Sequence, residues 1–167
     1  MAISMYDISV PVFQARLKAL SGLLAKAEAN AAERKIDPHV FVTGRLAPDM
    51  LTLTKQVQIA TDHAKGAGAR LAGREVPRFE DSETTFAELQ ARIAKTIDFL
   101  ATLQPNEFEG AETRQINLKA GPRELSFAGQ DYLLNFAMPN FYFHMTTAYA
   151  ILRHNGVPIG KTDFMGV

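Results

Sequence analysis

Cysteine is absent from this 167-residue chain. Its absence removes disulfides, cysteine-ligated iron-sulfur clusters and thiolate catalysis together. A surplus of charge is also missing. Eighteen basic residues face eighteen acidic ones, the formal net charge is zero, and no run of Lys and Arg would neutralise a row of phosphates. Nucleic acid is therefore not an expected partner. The opening residues, Met1-Ala2-Ile3-Ser4-Met5-Tyr6-Asp7, hold neither the charged nor the apolar segment of a secretory signal, so a cytoplasmic location is the expectation. A membrane span is not expected either. Tyr132 to Leu152 is long enough for one, but Asn135, Asn140, His144, Thr146 and Thr147 interrupt it. Internal repeats, low-complexity tracts and polar linkers are lacking too. Residues 1–167 thus read as one domain, and the 47% of hydrophobic residues are enough for one core.

What is present is helical periodicity in four segments. In the first, Phe13, Leu17, Leu20, Leu24, Ala27 and Ala31 fall on one helical face, with a start made uncertain by Pro11. The second opens at Pro48 and runs through Met50, Leu53, Val57, Ala60, Ala64, Ala67 and Leu71 until Gly73. The third takes Ser82 as its N-cap and repeats Phe86, Leu89, Ile93, Ile97, Leu100 and Leu103 up to Pro105. Between the third and fourth, Gln115-Ile116-Asn117-Leu118-Lys119 and Glu124-Leu125-Ser126-Phe127 alternate around Ala120-Gly121-Pro122, the pattern of a short β-hairpin. Such a hairpin is marginal alone, so Ile116, Leu118, Leu125 and Phe127 must pack on helices. The tail from Gly156 reads as irregular, with Phe164 as its anchor. The fold expected is all-α: a four-helix bundle with a small β-hairpin between helices 3 and 4.

The fourth segment, Gln130 to Asn155, is apolar almost all round. Leu134, Met138, Phe141, Met145, Ala148 and Leu152 form a wholly apolar stripe, which reads as core. The neighbouring stripe, Leu133, Ala137, Asn140, His144, Thr147 and Ile151, is mixed. Asn140 and His144 stand one turn apart, and a cavity beside them would suit the pattern. Burying either without a partner would cost about 1–3 kcal/mol, so each needs one. The simplest reading is a buried hydrogen-bonded pair, completed by Gln56, Thr147 or a tyrosine hydroxyl. A small-molecule cavity and a metal site are the sharper alternatives. Pro139 should kink the helix just before the pair. A third stripe, Tyr142, Thr146, Tyr149 and Arg153, leaves little solvated surface and suggests a homodimer.

Other features have plainer readings. His63 and His154 read as surface or helix-end residues, and Asp49, Asp62, Lys55 and Lys65 as solvated charges or helix-face pairs. Gly66-Ala67-Gly68-Ala69 lies inside a helix pattern with no strand before it, so close packing explains it better than phosphate binding. Gly160-Lys161-Thr162 lacks the upstream glycine of a nucleotide loop.

The stretch Pro139 to Val157, with the hairpin and Leu46-Ala47-Pro48-Asp49-Met50, resembles the DinB/YfiT-like metalloenzyme superfamily, in a branch known only as a domain of unknown function. The resemblance spans essentially the whole chain. It implies an up-down-down-up bundle, a tendency to dimerise, and a divalent ion, zinc, nickel or manganese, held by one histidine on the second helix and a His-x3-His pair on the last. Those positions fall here at Gln56 or Gln58, Asn140 and His144, and only one of them is histidine. Amide oxygens are weak ligands for metals that imidazole suits. The metal set carried over is therefore His144, Asn140 and Gln56 in degraded form, and no cofactor is the expectation. The pocket set is Gln56, Gln58, Asn140, Tyr142, His144 and Thr147. Two functions follow: a non-catalytic dimeric bundle that binds a small molecule or serves under stress, and a metal-dependent thiol transferase or isomerase.

Overall fold

A computed structural model of the chain describes residues 3–167, the side chain of Ala120 excepted. Four long helices form the bundle: α1 (Val10–Glu33), α3 (Leu53–Leu71), α4 (Phe86–Ala101) and α6 (Met138–His154). Short pieces fill the connections: α2 (Pro38–Val42), a 3₁₀ turn (Pro105–Phe108), strands β1 (Gln115–Ala120) and β2 (Arg123–Ala128), α5 (Gly129–Asp131), a π-helical turn (Tyr132–Ala137) and α7 (Lys161–Met165). Helix α3 lies between α4 and α6, and α1 packs on α4. No described helix is long and apolar enough to cross a membrane.

The apolar stripes of the first three helices are core as their spacing requires. The six α1 residues, and Val57, Ala60, Ala64, Ala67 and Leu71 of α3, are fully buried. On α4 only Ile97 is left half-buried. Gly68 lets α3 and α4 close up, since a Cβ there would come within 2.7 Å of Leu100 and 2.8 Å of Leu103. The small residues of α3 thus serve packing.

Helix starts differ from expectation for local reasons. The Thr52 side chain caps α3, so Pro48 and Met50 belong to the preceding loop. Thr85, not Ser82, caps α4, in a reciprocal capping box with Glu88. The tail is not wholly irregular: it folds into α7, and Phe164 meets the Tyr149 ring edge-on at 5.8 Å. That contact covers part of the stripe assigned above to a second copy of the chain.

The hairpin pairs Ile116 with Phe127 and Leu118 with Leu125, around a turn whose Gly121 takes φ 60°. A left-handed first turn residue suits the twist of a tight hairpin and favours glycine. Ile116 is buried, and Leu118 and Phe127 lean on the helical core.

The largest departure lies at the entry to α6. Pro139 occupies the first turn of a regular helix, where a missing N–H is harmless, and the irregularity precedes it as the π-helical turn. A π turn adds a residue to the helical period. It rotates the faces relative to one another: Leu133 and Ala137 are buried in line with Phe141, Met145, Ala148 and Leu152, whereas Leu134, assigned to the core by its spacing, is 43% exposed.

Candidate functional site

Three side chains of α3, Gln56, His63 and Arg70, follow one another at seven-residue intervals, two helical turns each, and so share a face. That face meets α6 and the hairpin. Gln56 is buried and its orientation is fixed: Nε2 donates to the Leu51 carbonyl at 3.2 Å, which turns Oε1 toward α6. There it accepts from Nδ1–H of His144 at 2.7 Å. The His144 proton is thereby placed on Nδ1, leaving Nε2 as the bare nitrogen. Burial lowers the His144 pKa below its ordinary value.

His63 stacks on His144, with ring centroids 6.1 Å apart and planes 13° from parallel. Its pKa falls to about 4, first through burial and then through His144 and Arg70, with Asp62 opposing. The imidazole of His63 is neutral at pH 7 as a result. The reading of His63 as a surface residue is corrected here. Beyond it the π-helical turn delivers Phe136, whose ring lies 5.8 Å from His63, stacks with Tyr132 at 5.9 Å and lies tilted against Phe127 at 5.4 Å. A continuous series of rings thus runs from α6 to the hairpin.

Asn140 donates Nδ2–H to the Phe136 carbonyl of the π turn at 2.7 Å, which keeps Oδ1 as an acceptor. Asn140 and His144 are therefore not partners of each other: one closes its own helix, the other reaches α3. Asn140, Phe136, His63, Arg70, Asp62, Leu118 and Lys119 enclose a cleft of about 390 Å³. Arg70 donates Nη1–H to the Tyr132 hydroxyl at 3.0 Å.

Of the residues expected in the pocket only Asn140 lines this cleft; Gln56 and His144 are outside its lining, and the others lie elsewhere. Gln58 is buried and donates to Glu83 at 2.8 Å. Thr147 bonds back to the Phe143 carbonyl of its own helix at 2.8 Å. Tyr142 is half-buried with its ring against Phe141 and takes no part in lining the cleft. Asp62 and Lys65 form a helix-face pair, as one of the two expected readings has it, but Lys65 is buried rather than solvated. Asp62 holds Lys65 and the almost fully buried Arg92, each at 2.9 Å, and Arg92 also reaches Asp81 at 3.1 Å and Glu83 at 3.0 Å. Phe79 lies under Lys65 at 3.9 Å and Lys95 at 4.2 Å from its centroid. This network ties the 74–85 connection to α3 and α4.

The donor set is poor for a resident divalent ion. Two of the three superfamily positions are amides: Gln56 Oε1 is taken by His144, and Asn140, bound to Phe136 through Nδ2, offers only the weak donor Oδ1. No three His, Cys, Asp or Glu side chains among the described residues are grouped to hold an ion. Zinc and its neighbours take three or four strong protein donors, and these residues do not fit that requirement.

The family model described as "Domain of unknown function (DUF1993)" matches residues 5–165. The chain belongs to this family. Its fold is that of a DinB family member from Shewanella denitrificans, whose crystal structure superposes on this DUF1993 chain with a TM-score of 0.91 at 44% identity, covering 98% of this chain and 92% of that one. Nothing among curated proteins matches it. The DinB-like bundle implied by the sequence resemblance is thus the observed fold.

Proposed function

We propose that this DUF1993 protein is a non-catalytic binding protein that takes a small molecule in the cleft between α3, the hairpin and the start of α6. The observation carrying this reading is the cleft itself, about 390 Å³, with a preformed aromatic wall, a neutral histidine and a few convergent polar groups. His144, held by Gln56, backs His63, which lines the cleft. A metal-dependent thiol transferase, the alternative from the superfamily, asks for strong ligands where Gln56 and Asn140 stand. A cytoplasmic setting and a homodimer belong to the same proposal. Because α7 covers part of the Tyr142–Arg153 stripe, the surface a second copy would bury is sought around Phe143, 59% exposed, and Leu51, 47% exposed.

A fragment screen by thermal shift and NMR on chelator-treated protein tests the reading. Neutral or charged fragments should perturb the His63 and Asn140 side-chain resonances and raise the melting temperature, and Phe136→Ala should remove both effects. Turnover of a thiol substrate that requires zinc, nickel or manganese, and that disappears in His144→Ala, would overturn it.

A further inference from the structure

Charge is distributed unevenly around the cleft. Arg70 and Lys119 line it, and the one carboxylate, Asp62, has its Oδ1 taken by Lys65 and Arg92. No carboxylate among the described residues lies in ion-pair range of Arg70 or Lys119, although most other buried or half-buried cations of this helix layer are paired. Arg70 is half-buried and gives a single hydrogen bond, to the Tyr132 hydroxyl. A guanidinium carries five N–H donors, so donors remain for a ligand.

Its pose depends on the helix beneath it. A Cβ on Gly66 would come within 2.4 Å of Arg70 Nη1, so the guanidinium lies where an alanine methyl would interfere. Next to it Phe136 offers an aromatic face, backed by Phe127 and Tyr132. Asn140 Oδ1 adds an acceptor. A planar fork beside an aromatic surface matches a carboxylate carried on a flat apolar body. A dianion would meet Asp62 at the same rim, which favours a single negative charge.

We infer that the cleft selects a small organic monocarboxylate with a flat apolar body, its carboxylate held by Arg70 with Lys119 nearby and its body laid on Phe136. This rests on the cleft being a ligand site, as proposed above. The test compares indole-3-acetate with its neutral analogue indole-3-acetamide, by calorimetry and NMR titration at low ionic strength. The acid should bind wild type at least tenfold more tightly than the amide. Arg70→Gln should bring the acid down to the level of the amide. Gly66→Ala, which keeps a good helix former in α3 and displaces only the guanidinium, should weaken the acid selectively and serves if Arg70→Gln does not fold. Lys119→Gln, at an exposed position, should cost the acid a few-fold. Equal affinity for acid and amide would overturn the charge selection while leaving a binding cleft in place. Absence of binding by both probes would overturn the inference, and the neutral fragment screen then decides separately whether the cleft binds anything. Displacement of the acid by equimolar inorganic phosphate would also overturn it.

Discussion

His144 Nδ1 lies 2.7 Å from Gln56 Oε1, so a histidine of the last helix is held by an amide that the second long helix has already oriented. The bond crosses the α3–α6 seam, and its loss leaves a buried amide oxygen without a donor. His144→Ala should therefore destabilise the protein by about 1–3 kcal/mol, and Gln56→Leu should cost less when combined with it than alone. Urea denaturation of the two single variants and the double variant measures this coupling. Additive effects would show that the bond contributes nothing.

Metal addition separates an oriented histidine from a ligand. Zinc, nickel or manganese should leave the wild-type melting temperature unchanged. Asn140→His restores an i, i+4 histidine pair on one helical face, with His63 beside it, and should gain metal-dependent stabilisation. Scanning calorimetry of both proteins after chelator treatment gives the comparison. Stabilisation of wild type by stoichiometric metal would return the superfamily's chemistry to this chain.

Acid should reveal His63. Its folded pKa of about 4 lies below the ordinary 6.5, so between those values the unfolded chain takes up a proton that the native state refuses. The stability is fully present above pH 6.5 and is lost as the pH falls toward 4, by roughly 3 kcal/mol at 1.4 kcal/mol per unit. Glu88, Glu107 and Asp163, whose pKa values are lowered by hydrogen bonds and by the cations of Arg74 and Lys26, lose stability at lower pH for their own reasons. Comparing denaturation midpoints of wild type and His63→Gln from pH 7 to 4.5 isolates the histidine. Parallel curves for the two proteins would contradict the assignment.

Arg92 is 1% exposed at its side chain and is held by Asp62, Asp81 and Glu83. Asp62 and Asp81 are 44% and 43% exposed and keep their hydration without Arg92, so the loss falls mainly on Glu83, at 12%. Arg92→Ala should cost about 1–3 kcal/mol and free the 74–85 connection to proteolysis. Denaturation and limited trypsin digestion read the two effects.

Gly129 ends the hairpin against the backbone of Ala111, where a Cβ would lie 1.9 Å from the carbonyl oxygen. Backbone cannot swing aside as a side-chain end can. Gly129→Ala should destabilise by about 1–3 kcal/mol or more, with hydrogen exchange rising first in β2 and the π-helical turn.

The amino-acid sequence by itself determined the bundle. The stripes from Phe13 to Ala31 and from Val57 to Leu71 repeat at the helical period, and only burial on other helices satisfies them. The hairpin was legible because Gly121-Pro122 separates two alternating runs, and the superfamily likeness was legible around Pro139–Val157. The Gln56–His144 contact was half legible, as one option for satisfying a buried histidine. The Gln56, His63 and Arg70 spacing is also present in the sequence, but His63 and Arg70 taken singly read as ordinary surface polar groups. Tertiary structure decided the rest. The π turn packs on α3 and, through Tyr132 and Phe136, on Phe127 of the hairpin, and by adding a residue to the period it exposed Leu134 and delivered Phe136 to the cleft. Arg92 went to the interior because acids from α3 and from the connection just before α4 meet it there, and no local pattern in α4 records where Asp62, Asp81 and Glu83 will stand.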